Sequence, residues 1–141
     1  MRYRIGLLIS AALAATLAAG CDSQKLPVTG KVTVKGGGPL PGGMVVFAPV
    51  AGGTSGGARG YIREDGTFTL STERPEDGSF AGKYRVLVVP PSKKGGEEVA
   101  AAPPPIDPRY AEFDGSGLEV EVTPERHHFE FTLDPPARKK K

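Results

Sequence analysis

Tryptophan is absent from this 141-residue chain, cysteine occurs once, histidine twice, and aromatic residues make up 7% of the total. Each scarcity removes a class of explanation. A single cysteine cannot close a disulfide within the chain. His127 and His128 are adjacent, so on a strand they point to opposite faces and cannot chelate one metal ion together. No serine stands in a Gly-x-Ser-x-Gly turn, and no Ser-His-Asp arrangement suggests itself. Asp65, Asp77, Asp107 and Asp114 lie in loop-like stretches without the Asp-x-Asp-x-Asp-Gly spacing of a calcium loop, so they read as turn formers. The glycine runs at Gly36 and Gly52 lack the lysine and Ser/Thr of a phosphate loop, and no helix is expected after them. The chain is therefore expected to have no catalytic residue, no metal and no cofactor, and not to be an enzyme.

An excess of one charge is missing too. The formal net charge is +2, but Arg2 and Arg4 belong to the extreme N-terminus, and without them 16 basic residues face 16 acidic ones. That balance gives no reason to expect nucleic acid as a partner. Long hydrophobic runs are confined to the start: Ile5 to Ala19, broken only by Ser10 and Thr16, is shorter than the ~20 residues needed to cross a bilayer. With Arg2 and Arg4 before it and small residues at its end, residues 1–20 read as an export signal.

The end of that signal carries a resemblance. Leu17-Ala18-Ala19-Gly20-Cys21 resembles the lipobox of bacterial lipoproteins, with Ala18 where leucine is usual and Leu17 one place earlier. The resemblance implies a diacylglycerol on the Cys21 sulfur, cleavage just before Cys21 and acylation of the new amine. A free thiol in an oxidising compartment is otherwise a liability. One acyl chain gives marginal binding, at about 0.8 kcal/mol per buried CH₂, whereas two or three hold a protein on a membrane durably. The expected location is lipid-anchored at the cell membrane or outer membrane, after export across the cytoplasmic membrane. Residues 21–27 then serve as lipidated cysteine and tether; Asp22 resembles the signal that retains some enterobacterial lipoproteins on the inner membrane.

Abundance is on the side of turns: 20 glycines and 14 prolines argue against long helices. Alternating residues predict strands at Val28–Val34, Arg59–Arg63, Thr67–Ser71, Lys83–Val89, Leu118–Thr123 and His128–Leu133. Met44–Ala48, apolar on both faces, predicts a central strand. Glu64-Asp65-Gly66 predicts a hairpin between the strands on either side of it. Thr123-Pro124-Glu125-Arg126 predicts a second hairpin, between the last two strands. About seven short strands suggest an all-β, two-sheet antiparallel β-sandwich over residues 28–134, with a closed barrel as the competitor. The connection Pro90 to Gly117 is long for a structureless loop, the usual limit being about 12–15 residues. Its first half, Ser92 to Pro105, should be mobile, whereas Ile106, Tyr110 and Phe113 can pin the second half to the sandwich. Residues 135–141 end in Arg138-Lys139-Lys140-Lys141, read as a solvated basic tail able to touch anionic lipid or an acidic polymer.

The order of Val28-Thr29-Gly30-Lys31-Val32-Thr33, Pro39-Leu40-Pro41-Gly42-Gly43, Asp65-Gly66-Thr67-Phe68, Gly82-Lys83-Tyr84, Ile106-Asp107-Pro108-Arg109-Tyr110, Ser116-Gly117-Leu118 and Phe129-Glu130-Phe131 is similar to small lipoproteins of planctomycete-type bacteria, often described as carboxypeptidase-regulatory-like or transthyretin-like. The resemblance implies a prealbumin-like, Ig-like β-sandwich in an envelope lipoprotein, and implies no activity. Transthyretin-related hydroxyisourate hydrolases end in Tyr-Arg-Gly-Ser, whereas this sequence ends in Arg-Lys-Lys-Lys. The expected function is a non-catalytic interaction or scaffolding module, membrane-anchored and able to bind an envelope protein. The alternative is a small-ligand or glycan binder with residues 106–117 as a flap, its contacts Tyr61, Arg109, Tyr110 and Phe113.

Overall fold

The computed structural model describes residues 24–50, 56–91 and 105–137. Cys21, residues 92–104 and the Arg138–Lys141 tail lie outside the described residues. The alternation in the sequence becomes eight strands among the described residues: β1 (Thr29–Val34), β2 (Gly38–Pro39), β3 (Met44–Pro49), β4 (Ala58–Tyr61), β5 (Thr67–Thr69), β6 (Gly82–Val89), β7 (Leu118–Val122) and β8 (His128–Leu133). They form two sheets. The first runs β4-β3-β6-β7, antiparallel throughout. In the second, β1 is central, with β8 along one side and β5 then β2 along the other. The all-β sandwich expected from the sequence is the fold.

Inward faces match the alternation. Val28 and Val32 from the start of the domain, Val45 and Phe47 from β3, Tyr84, Val86 and Val88 from β6, and Phe129, Phe131 and Leu133 from β8 are all buried. Phe47 is the hub: its ring lies 6.4 Å from Phe68, 6.0 Å from Phe129 and 6.3 Å from Phe131 in the facing sheet, and 5.9 Å from Tyr84 beside it. Tilted and edge-on contacts at these spacings suit the ring quadrupoles. The outward face of the second sheet is a polar ladder, whereas that of the first carries Met44, Val46, Ala48 and Leu87 on its two central strands. On the second sheet Thr29 opposes His128, Lys31 opposes Glu130, and Thr33 opposes Thr132. His127 turns away from His128: its Nδ1 donates to the Pro27 carbonyl, while His128 Nδ1 bonds Thr29 Oγ1.

Both hairpins expected from the sequence need correction. The Thr123–Arg126 turn forms, closed by reciprocal backbone bonds of 3.0 and 3.1 Å, but β7 joins β6 while β8 crosses to β1 in the other sheet. The Glu64–Gly66 turn forms as well, with Asp65 accepting from the Thr67 amide and hydroxyl. Its arms also separate, β4 to β3 and β5 to β1. They remain stitched at both ends, where the Arg63 amide donates to the Thr67 carbonyl at 2.8 Å and where Arg59 and Ser71 exchange backbone bonds of 2.9 and 2.8 Å, so this edge of the sandwich is closed. In both cases each strand turns its apolar residues to the core from its own sheet, which the period cannot distinguish from a shared sheet. A further difference is that β8 runs parallel to β1. Parallel neighbours require a long connection, and here nearly the whole domain lies between them.

Residues 105–117 fill the side of the sandwich where β7 stops short. β7 pairs with β6 only over Gly82–Val86, and at that limit Ser116 Oγ donates to the Val86 carbonyl at 2.6 Å. A 3-10 turn (Pro108–Ala111) and a single helical turn, α1 (Phe113–Ser116), bring Ile106 and Tyr110 into the core. Proline in the first position and Asp107 accepting from the Arg109 amide start the 3-10 turn. Gly117, at φ +63°, ends α1 in the left-handed region that glycine adopts without penalty.

Candidate binding groove

Among the residues named from the sequence, Arg109 and Tyr110 form a structural clasp. The Tyr110 hydroxyl accepts from Arg109 at 2.8 Å and from the Asp134 amide at 3.2 Å, and donates to the Asp134 carboxylate at 3.1 Å. Arg109 also pairs with that carboxylate at 2.6 Å and stacks 4.8 Å over the tyrosine ring. Tyr110 is only 4% exposed, so its ring packs in the core rather than facing a ligand. Phe113 is 37% exposed on α1, and Tyr61 is 74% exposed on β4. The structure therefore does not assemble an exposed Tyr61, Tyr110 and Phe113 cluster, and the described part of the expected flap is held down by its own buried residues.

Tyr61 instead lies in a groove of about 380 Å³ that no motif in the sequence announces. Its floor is the solvent face of β4 and β5, with Arg59, Tyr61, Arg63, Thr69 and Ser71; its wall is the Thr72–Glu76 loop, including Arg74. The positions 59, 61 and 63 alternate outward because Ala58, Gly60 and Ile62 point in. Gly60 is small for a reason: a Cβ there would sit 2.6 Å from the Thr69 carbonyl oxygen, where the two edges meet. That half of the groove is legible as alternation in Arg59-Gly60-Tyr61-Ile62-Arg63. Arg74 is not, because only the folded loop brings it opposite.

The wall is rigid because Asp77 organises it. Its carboxylate accepts from the amides of Thr72 at 2.6 Å, Arg74 at 3.0 Å and Glu73 at 3.2 Å, and from Lys25 Nζ at 2.7 Å. The Ser71 hydroxyl accepts from the Glu76 amide, and Thr72 Oγ1 donates to the Gly78 carbonyl. Charge is largely cancelled on this wall, since Glu73 pairs with Lys25 at 2.7 Å and Glu76 with Arg63 at 2.8 Å. Arg59 and Arg74 hold no ion pair among the described residues. The groove thus presents two uncommitted guanidinium groups beside one exposed aromatic side chain, an arrangement suited to an anion with carboxylate or phosphate oxygens. Among the described residues no three metal-ligating side chains converge.

Asp77 carries a pH dependence. The Lys25 ammonium first, then the Thr72 amide and the other loop amides, hold its carboxyl well below the usual carboxylate range. Its folded-state pKa is depressed, so its contribution is present above about pH 4, the unfolded value, and is lost as pH falls through the folded value. Hydrogen exchange should show the Thr72, Glu73 and Arg74 amides losing protection progressively as pH falls from about 4 toward the folded value, ahead of the amides of β1. Asp77→Asn should open the same amides at neutral pH. Unchanged protection in that variant would show that the loop does not depend on the carboxylate.

Comparison with family models, with curated proteins and with solved structures returned no match.

Proposed function

We propose that this chain is an exported lipoprotein, lipidated at Cys21, whose β-sandwich is a non-catalytic interaction or scaffolding module held at the surface of an envelope membrane. The observation that supports this most directly is how soon the folded domain begins after the lipobox-like sequence. Lys25 is already tied to Glu73 and Asp77, and Leu26 exchanges backbone bonds of 2.8 and 3.0 Å with Ser79. Lys25 stands four positions after Cys21. Such a span reaches at most about 14 Å fully extended. A lipid at Cys21 would therefore hold the domain against the membrane rather than on a long stalk. No hydrophobic patch on the domain is needed for anchoring in that arrangement.

The test is Cys21→Ser, with cell fractionation and mass spectrometry of the purified protein. Wild type should sediment with membranes and carry the mass of a diacylglycerol on its N-terminal residue; the variant should lose that mass and its detergent-extractable behaviour. Wild type without lipid mass would overturn the reading. Crosslinking on intact cells then identifies the bound component, and capture of one protein that depends on Cys21 is the expected result.

A further inference from the structure

We propose that the groove between β4 and the Thr72–Glu76 loop is a membrane-facing surface that docks anionic lipid headgroups through Arg59 and Arg74, with Tyr61 at the headgroup level. This rests on lipidation at Cys21 and goes beyond it by assigning the domain an orientation. Position is the first ground. Lys25 bonds Glu73, and Glu73 lines the groove. Groove and tether are therefore on the same end of the domain. The lipid-bearing residue lies within four residues of that contact, a reach of at most about 14 Å, so few orientations keep the groove far from the bilayer.

Chemistry then selects the occupant. Arg63 pairs with Glu76, and Lys25 is shared between Glu73 and Asp77, so Arg59 and Arg74 are the guanidinium groups of the groove without an ion pair among the described residues, and the groove with its wall carries an excess of one positive charge. Guanidinium groups take phosphate oxygens in a bidentate fork, and they lose less hydration than ammonium groups in doing so. Tyr61 has an apolar ring and a polar tip, the combination enriched where bilayer meets water. Pro75 is exposed on the same wall and adds apolar surface without a backbone donor to satisfy. On the outward ladder of the second sheet Lys31 instead stands in register with the oppositely charged Glu130.

The lipidated chain, reconstituted into vesicles of phosphatidylcholine alone or of phosphatidylcholine with phosphatidylglycerol, gives the test by amide hydrogen exchange. Residues 58–63 and 71–76 should gain protection only in the anionic vesicles, and lose it at high salt. Arg59→Gln combined with Arg74→Gln should reduce the equilibrium constant for docking about 30-fold, as two charges at an anionic surface imply. Lys31→Gln, on the outward face of the other sheet, should leave it unchanged. Equal protection in the two vesicle types, from protein shown by mass spectrometry to carry lipid, overturns the docking surface and leaves the anchor standing. Protein that carries no lipid overturns both. Protection of the groove by a soluble acidic oligosaccharide on neutral vesicles, with none from anionic lipid, assigns the groove to a glycan and overturns the proposal.

Discussion

Phe47→Ala should lower stability by about 3–5 kcal/mol, the range for deleting a fully buried phenylalanine. Phe47 is fully buried, and four rings surround it, three of them from the opposite sheet. The loss combines the transfer of the ring with a cavity that Phe68, Phe129 and Phe131 cannot collapse into, because each is fixed on its own strand by the ladder of β1. Against a typical domain stability of about 5–15 kcal/mol this is a large fraction. The midpoint of thermal unfolding should fall by roughly 10–25 °C. Phe47→Leu, which keeps most of the volume, should cost less than half as much. A loss below about 1 kcal/mol for the alanine variant would mean that the ring is not the hub described.

Gly30→Ala is the second large effect, and it works by addition rather than deletion. Gly30 is opposite Phe129 on one side and Phe68 on the other. A Cβ there would overlap both the Phe129 carbonyl oxygen and the Phe68 ring. The oxygen is part of the β1–β8 ladder, and the ring is 1% exposed and stacked 6.2 Å from Phe131. Neither can give way cheaply, so the cost should reach the upper end of overpacking, about 3 kcal/mol, read as a shift in the denaturant midpoint. Adding Phe68→Ala removes one of the two obstacles. The double variant should therefore lose less than the sum of the single losses. Strictly additive losses would show that the ring is not what the new methyl meets.

These two effects concern the same feature from opposite directions. The aromatic layer places five rings between the sheets, and β1 makes room for them by carrying no side chain where Phe68 crosses it. The groove is separate from this layer: its residues are on the solvent face of β4 and β5 and on a loop tied by Asp77. Removing Arg59 or Arg74 should therefore alter binding without altering the unfolding midpoint, which separates the function of the groove from the stability of the core.

By itself, the sequence determined the strands other than the two-residue β2, the faces they bury and the turns that end them. Alternation in Val28–Val34, Tyr84–Val88 and Phe129–Leu133 is a local property, and a two-residue period suffices to say which side of a strand is apolar. It also placed Arg59, Tyr61 and Arg63 on one face. Only the tertiary structure decided which edge each strand joins. That choice sent β7 and β8, and β4 and β5, to different sheets and laid β8 parallel to β1. It also brought Arg74 opposite Arg59 and set the loop that carries it against Lys25. The physical reason is that pairing and burial are settled by hydrogen bonds and packing between residues far apart in the chain, and no local period records them.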